Sequence, residues 1–177
     1  MANKLYGALA EFETPHAIFE ACKKVRDAGF KYWDSHTPFP VHGLDGAMGM
    51  KRSKLPFIVL VMALTGAIGG FGLQTWTSVV DYPWVVSGKP YFSWPAFIPV
   101  TFELGVLFGA LGAVFGMLGL NKLPQLYHSL FRSKRFERFS DDKFFISIEE
   151  RDPKFDKAKT VAFLEEIGST NVELIDE

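Results

Sequence analysis

The sequence has 177 residues, a formal net charge of −1, 48% hydrophobic residues and 22% charged residues. It has no basic patch interleaved with aromatic residues, which argues against a nucleic-acid-binding protein. Its single cysteine, Cys22, excludes an internal disulfide, a cysteine-held iron–sulfur cluster and a CxxCH haem attachment, and we expect an inert core thiol.

The chain begins with a predicted βαβ unit. Residues 5–12 have the pattern of a strand, and Thr14 followed by Pro15 is typical of a helix start. Gly29 is placed to end this helix before a second strand at 30–34. The helix core face is predicted from residues at helical spacing: Ile18, Cys22, Val25 and Gly29.

Two long apolar stretches follow, at residues 55–76 and 97–120. As a helix, the first reaches about 33 Å, which is enough to cross a bilayer. A chain of this length has no core large enough to bury two such helices, so we predict a transmembrane hairpin with an outer loop at 77–96. Aromatic residues that favour the membrane boundary lie at the end of the first helix and in this loop: Trp76, Tyr82, Trp84, Tyr91, Phe92 and Trp94.

Basic residues predict the orientation of the hairpin. They flank it on both sides, whereas the loop between the helices contains only Lys89. The positive-inside rule therefore predicts that both termini are cytoplasmic and that the protein lies in a bacterial inner membrane. The start of the sequence lacks the basic region followed by an apolar region that is typical of a cleavable signal peptide, so we expect none there.

The segments that connect the hairpin to the rest of the chain, residues 37–54 and 121–140, are basic, contain proline and carry scattered apolar residues. We expect them to lie on the inner membrane surface, and plain linkers are the alternative. The apolar residues concerned are Leu44, Met48, Leu126, Tyr127, Leu130 and Phe131.

A second βαβ unit ends the chain. Residues 144–149 alternate like a strand, Asp152 and Pro153 occupy the predicted helix start, and Gly168 precedes a last strand at 172–175. Two such halves predict a ferredoxin-like, split βαβ domain of the α+β class, which has a four-stranded antiparallel sheet with both helices on one face. Its two parts, 1–54 and 121–177, would form one cytoplasmic domain interrupted by the transmembrane hairpin.

Glycines recur every four residues in both apolar stretches, a spacing that lets membrane helices approach closely. We expect one stripe to pack the two helices together and a second stripe to remain for a partner protein; the general abundance of glycine in membrane helices is the alternative. The interface candidates are Gly66, Gly70, Gly105, Gly109, Gly112 and Gly116.

Glu103 is the only charged residue of the second stretch. It lies about 13 Å along the helix from Trp94, deeper than a carboxylate easily reaches water. We expect it to pair with Gln74 or Thr75, to be protonated, or to meet a polar group of another subunit. A proton relay is a further alternative, but a relay needs several titratable groups in line and this stretch has one.

No group of residues predicts catalysis. The four histidines lack the spacing of metal ligands, and we expect them to be exposed. Asp152 and Asp156 are interpreted as helix-start residues, not as an acid and base pair. The sequence predicts neither catalytic residues nor a metal or cofactor site.

Three stretches together resemble the ActD subunit family of bacterial alternative complex III: "TPFPVHGLD" at 37–45, residues 73–118, and "DPKFD" at 152–156. The resemblance extends over nearly the whole chain. It implies a small subunit with two membrane helices and a cytoplasmic domain, without haem or an iron–sulfur cluster of its own. It places haem c, iron–sulfur clusters and quinol oxidation in partner subunits, some of them polytopic, and it transfers no catalytic role to this chain.

The expected function is therefore that of a non-catalytic accessory subunit that stabilises a quinol-oxidising membrane complex. The alternative is a self-sufficient membrane-tethered binding or sensing module, because a ferredoxin-like fold does not settle function.

Overall fold

The computed structural model describes residues 4–177, which form two compact units. The split unit consists of the chain up to Lys51 together with Leu126–Glu177, and the hairpin unit is Arg52–Gln125. The α-helices are α1 (Pro15–Ala28), α2 (Leu44–Met48), α3 (Leu55–Trp76), α4 (Trp94–Leu120) and α5 (Lys157–Glu166). The strands are β1 (Leu5–Phe12), β2 (Trp33–His36), β3 (Phe144–Glu149) and β4 (Asn171–Asp176).

The strands form one sheet in the order β2-β3-β1-β4, and every neighbouring pair is antiparallel. This confirms the prediction of a mixed α/β chain with a four-stranded antiparallel sheet. The second strand begins at Trp33, three residues later than predicted, because Lys31 and Tyr32 bind a side chain from the second half of the chain through their backbone N–H groups.

The main core lies between one face of the sheet and helices α1 and α5. Helix α1 begins as predicted, because the Thr14 hydroxyl accepts a hydrogen bond from the Ala17 N–H at 3.2 Å, and it ends at Gly29, whose φ is 80°. The side chains that form this core come from both helices and from the central strands: Ile18, Cys22 and Val25, Leu164, and Ala10, Phe12 and Ile146.

A second, smaller core covers the opposite face of the sheet. Two 3₁₀ turns, Ser129–Arg132 and Phe136–Ser140, pack on this face, and Leu130 and Phe136 are only 1% and 3% exposed. The expectation that Leu130 lies on the membrane surface is therefore wrong, because it packs in a protein core. Of the other residues expected on the membrane surface, Leu44 and Met48 pack against the main core. The remaining three are exposed: Leu126, Tyr127 and Phe131.

The predicted start of α5 at Asp152 is wrong as well. The helix begins at Lys157, and its N-cap is Asp156, whose carboxylate accepts a hydrogen bond from the Lys159 N–H at 3.0 Å. Asp152 is buried and instead accepts hydrogen bonds from the N–H groups of Tyr32 and Lys154. It thus joins the two halves of the split unit.

Helices α3 and α4 are both long and apolar enough to cross a membrane. Helix α3 has the predicted bounds, and α4 begins three residues earlier than predicted, with Pro95 in its first turn. In the most apolar 18 residues of each helix, only 11% of the residues of α3 and 17% of those of α4 are buried within the chain. The core helices of soluble proteins are mostly buried.

Candidate interface on the helical hairpin

Glycines allow α3 and α4 to pack closely. A Cβ atom added at Gly66 would lie 2.3 Å from the Leu104 carbonyl oxygen, and one added at Gly70 would lie 2.7 Å from the Leu104 side chain. On α4, Gly105 and Gly109 face α3: a Cβ atom added at Gly105 would lie at an ordinary contact distance of 3.4 Å from the Ala67 Cβ, and one added at Gly109 would lie at a tighter 3.3 Å from the Ala63 Cβ. Close backbone approach of this kind is the usual means by which helices associate in lipid.

The second glycine stripe of α4 also faces α3. A Cβ at Gly112 would lie 2.8 Å from the Met62 side chain, and one at Gly116 would lie 2.9 Å from Leu55. The expectation of a surplus stripe is therefore wrong, because both stripes are used within the hairpin. Open space instead surrounds glycines outside the predicted stripes: Gly69, Gly72 and Gly119.

Gln74 joins the C-terminal end of α3 to the N-terminal end of α4. Its side-chain amide donates hydrogen bonds at 3.1 Å to the backbone carbonyls of Gly70 and Phe97, and it lies 3.4 Å from the Thr101 hydroxyl. The hydroxyl of Thr75 donates to the Phe71 carbonyl at 2.9 Å. Neither Gln74 nor Thr75 binds Glu103, so that expected pairing is wrong.

Glu103 itself lies on the exposed side of α4. Its carboxylate has no hydrogen-bond or ion-pair partner within residues 4–177. Spacing within α4 explains this position, because Leu104 and Gly105 contact α3 and lie about 100° and about 200° around the helix from Glu103. Glu103 therefore points away from α3.

An open apolar groove of about 490 Å³ lies on one side of the hairpin. Ile98, Phe102 and Val106 line it from α4, and Leu60 and Leu64 line it from α3. Gly105 and Gly109 also line the groove, and because glycine has no side chain they leave part of this space open. Sequence reasoning did not predict this groove, because it arises from the helix crossing and not from spacing within one helix.

Within residues 4–177, no group of three or more His, Cys, Asp or Glu side chains is arranged to hold a metal ion.

Cys22 is fully buried in the main core, and burial raises the pKa of its thiol to about 12. His36 departs from the expected exposure, because it lies 3.2 Å from the Ser147 hydroxyl and contacts the Phe136 ring edge to face. Burial lowers the pKa of His36.

A family model described as "Alternative complex III, ActD subunit" matches residues 6–174 of this chain. The chain belongs to the ActD family. The ActD match includes the split unit and both hairpin helices, and it confirms the resemblance found in the sequence. ActD is the family of a subunit of a multi-subunit respiratory complex, which indicates a role in electron transport. No curated protein matches the sequence.

Proposed function

We propose that the chain is a cofactor-free, non-catalytic accessory subunit of a quinol-oxidising alternative complex III and that it stabilises the assembly of this complex. The observation that carries the proposal is the ActD match over residues 6–174. It agrees with the contacts within the hairpin, where glycines and Gln74 support helix packing.

We propose that the hairpin spans a bacterial inner membrane. Its outward side chains are large and apolar, and Phe57, Ile68 and Phe102 are each at least 70% exposed. Water would make such surfaces prone to aggregation, whereas a bilayer or neighbouring membrane helices would cover them. Basic residues on both sides of the hairpin favour cytoplasmic termini and an outer loop at 77–96.

We further propose that the split unit is a ferredoxin-like domain on the cytoplasmic side. The strand order β2-β3-β1-β4 and the packing of α1 and α5 on one face of the sheet support this fold. The hairpin is inserted in the sequence between β2 and β3, which are neighbours in the sheet. Insertion between neighbouring strands lets the chain leave and re-enter the domain at nearby points.

In this proposal, partner subunits supply haem c, the iron–sulfur clusters and the site of quinol oxidation. The partners include polytopic membrane subunits and a multihaem cytochrome subunit. This chain contributes packing surfaces, and its only cysteine is fully buried in the main core and unsuited to cluster binding.

Purification of the tagged chain from its native membrane in a mild detergent tests this function. We expect the chain to co-migrate with multihaem cytochrome and polytopic subunits, and we expect deletion of the chain to reduce the amount of intact complex and its quinol oxidation together. A free monomer or homodimer with an intact complex elsewhere would contradict the proposal and would favour a membrane-tethered binding module.

Two cysteine variants test the orientation. In a Cys22→Ala background, Ser87→Cys places a thiol in the loop between the helices, and Ser140→Cys places an exposed one in the split unit. A membrane-impermeant maleimide should label the Ser87→Cys protein in spheroplasts and the Ser140→Cys protein only after the membrane is opened. The reverse pattern would contradict cytoplasmic termini.

A further inference from the structure

We propose that the Glu103 face of α4 docks against a transmembrane helix of a neighbouring subunit, and that this helix presents an arginine, lysine or protonated histidine to the Glu103 carboxylate. The inference rests on the proposed membrane insertion and goes beyond it by naming the surface and the chemistry of its partner. The Glu103 face consists of Glu103 and the residues up to seven positions away that lie within about 60° of it around the helix: Ala96, Pro99, Val100, Val106, Leu107 and Ala110.

This face is free within the chain. All of its residues are exposed, and the side of α4 that contacts α3 is carried by Leu104 and Gly105. The polar side chains of α3 at similar depth are already engaged, because Gln74 binds the Phe97 carbonyl and the hydroxyls of Thr65 and Thr75 bind carbonyls of their own helix. Any partner of Glu103 at this depth therefore belongs to another molecule.

The carboxylate determines the kind of partner. An ionised side chain in the hydrocarbon region is unfavourable unless it is paired, and the complementary charge is a cation. A second copy of this chain docking through the same face would bring two like charges together and would supply no complementary cation. Ala96 and Ala110 flank Glu103 at seven-residue spacing and have small side chains, so a helix can approach closely on both sides of it.

Four substitutions at Glu103 test the pairing in the native membrane. The measurement is the fraction of the chain that co-purifies with the complex in mild detergent. Glu103→Asp should retain most of it, Glu103→Gln should reduce it, and Glu103→Leu and Glu103→Lys should reduce it about tenfold or more, because a buried cation loses its counter-charge.

The leucine variant separates pairing from exposure to lipid. If Glu103 faces lipid, Glu103→Leu removes an unfavourable charge and co-purification equals or exceeds that of the wild type, which would overturn the inference. Thr65→Val is the matched control, because the exposed Thr65 hydroxyl donates to the Val61 carbonyl of its own helix at 2.8 Å. This variant should co-purify like the wild type.

A photo-cross-linking residue at Ala110 identifies the partner in a chain that retains Glu103. We expect an adduct with a transmembrane segment of another subunit that contains a basic residue about two helical turns from the cross-link, because Ala110 lies two turns from Glu103. Exchanging the two charges, with Glu103→Lys and the partner cation changed to Glu, should restore co-purification. Adducts with lipid alone, with a second copy of this chain, or with a segment that lacks a basic residue would overturn the inference.

The proposed function and the inference fail in different ways. If the wild-type chain does not co-migrate with the complex, the proposed function is wrong. If the wild-type chain co-migrates and Glu103→Leu does so equally well, only the docking of the Glu103 face is wrong.

Discussion

Gly66 of α3 lies directly against the backbone of Leu104 in α4, so closely that a Cβ atom at Gly66 would lie 2.3 Å from the Leu104 carbonyl oxygen. Backbone cannot move aside as a flexible side chain can. The two helices must therefore separate if residue 66 gains a side chain, and this contact determines how closely the hairpin packs.

Gly66→Ala should destabilise the hairpin by about 1–3 kcal/mol, because the added methyl group overpacks the helix contact. Gly69→Ala is the matched control, since no atom lies within 4 Å of a Cβ at that position. Both substitutions raise the helix propensity by the same amount, so the difference between the stabilities of the two variants reports the contact between α3 and α4 alone. Thermal unfolding in detergent measures it, and equal midpoints for the two variants would contradict the packing described here.

Asp152→Asn should destabilise the split unit by about 1.5–3 kcal/mol at neutral pH, because the buried carboxylate accepts charge-assisted hydrogen bonds from the N–H groups of Lys31, Tyr32 and Lys154. The exposed Asp27, which pairs with the adjacent Arg26, provides the control Asp27→Asn. Chemical denaturation of both variants measures the difference, and similar midpoints would show that Asp152 does not join the two halves.

Asp152 should also make stability depend on acid pH. Burial alone would raise the pKa of Asp152, but the N–H groups of Tyr32, Lys154 and Lys31 lower it below its ordinary value of 3.8. Its contribution to the free energy of unfolding is therefore complete above this ordinary value and is lost as pH falls through the lower pKa of the folded state. The Asp152→Asn protein should show a smaller loss of stability between about pH 4 and pH 2 than the wild type.

His36 should make the split unit less stable just below neutral pH. Burial lowers its pKa below 6.5, with a further decrease from His128 and an opposing increase from Asp34. The unfolded chain then binds a proton more readily than the folded chain, so the free energy of unfolding falls as pH drops below 6.5. His36→Gln should reduce this dependence between pH 7.5 and 5.5, whereas His42→Gln, at an exposed position, should retain it.

Cys22 should not react with a maleimide in the folded chain. Its side chain is fully buried, and burial raises the pKa of the thiol to about 12, so the reactive thiolate is scarce at pH 7. In the Cys22→Ala background, Ser140→Cys should be labelled readily because residue 140 is exposed. Mass spectrometry with and without denaturant distinguishes the two, and rapid labelling of native Cys22 would contradict its place in the core.

Local signals in the sequence were sufficient to predict much of the split unit and the bounds of α3. The Thr14-Pro15 start and the Gly29 end of α1 depend on capping chemistry that acts within a few residues. The alternation at 144–149 correctly predicted the strand β3, although both of its faces are buried, because Phe144, Ile146 and Ile148 meet the main core and Phe145 meets the second core. Such signals need no knowledge of distant residues.

The contacts that were missed join residues far apart in the sequence. Asp152 resembled a helix start, but two of its backbone partners, Lys31 and Tyr32, lie 121 and 120 residues away. Leu130 resembled a membrane-surface residue because the residues with which it forms the second core, such as Leu9 of β1 and Ile175 of β4, are distant in the sequence. The sequence left several polar groups as candidate partners of Gln74. Its amide donates to the Phe97 carbonyl because of the way α3 and α4 cross, which the sequence does not show.

The order of the strands has a consequence for biosynthesis. β1 is made early, yet both of its neighbours in the sheet, β3 and β4, follow the long helices in the chain. While a ribosome is still producing the middle of the protein, both edges of β1 have no partner and can attract chaperones or other nascent chains. Only a molecule translated through β4 can complete this sheet, so termination before β4 leaves one edge of β1 without its partner strand.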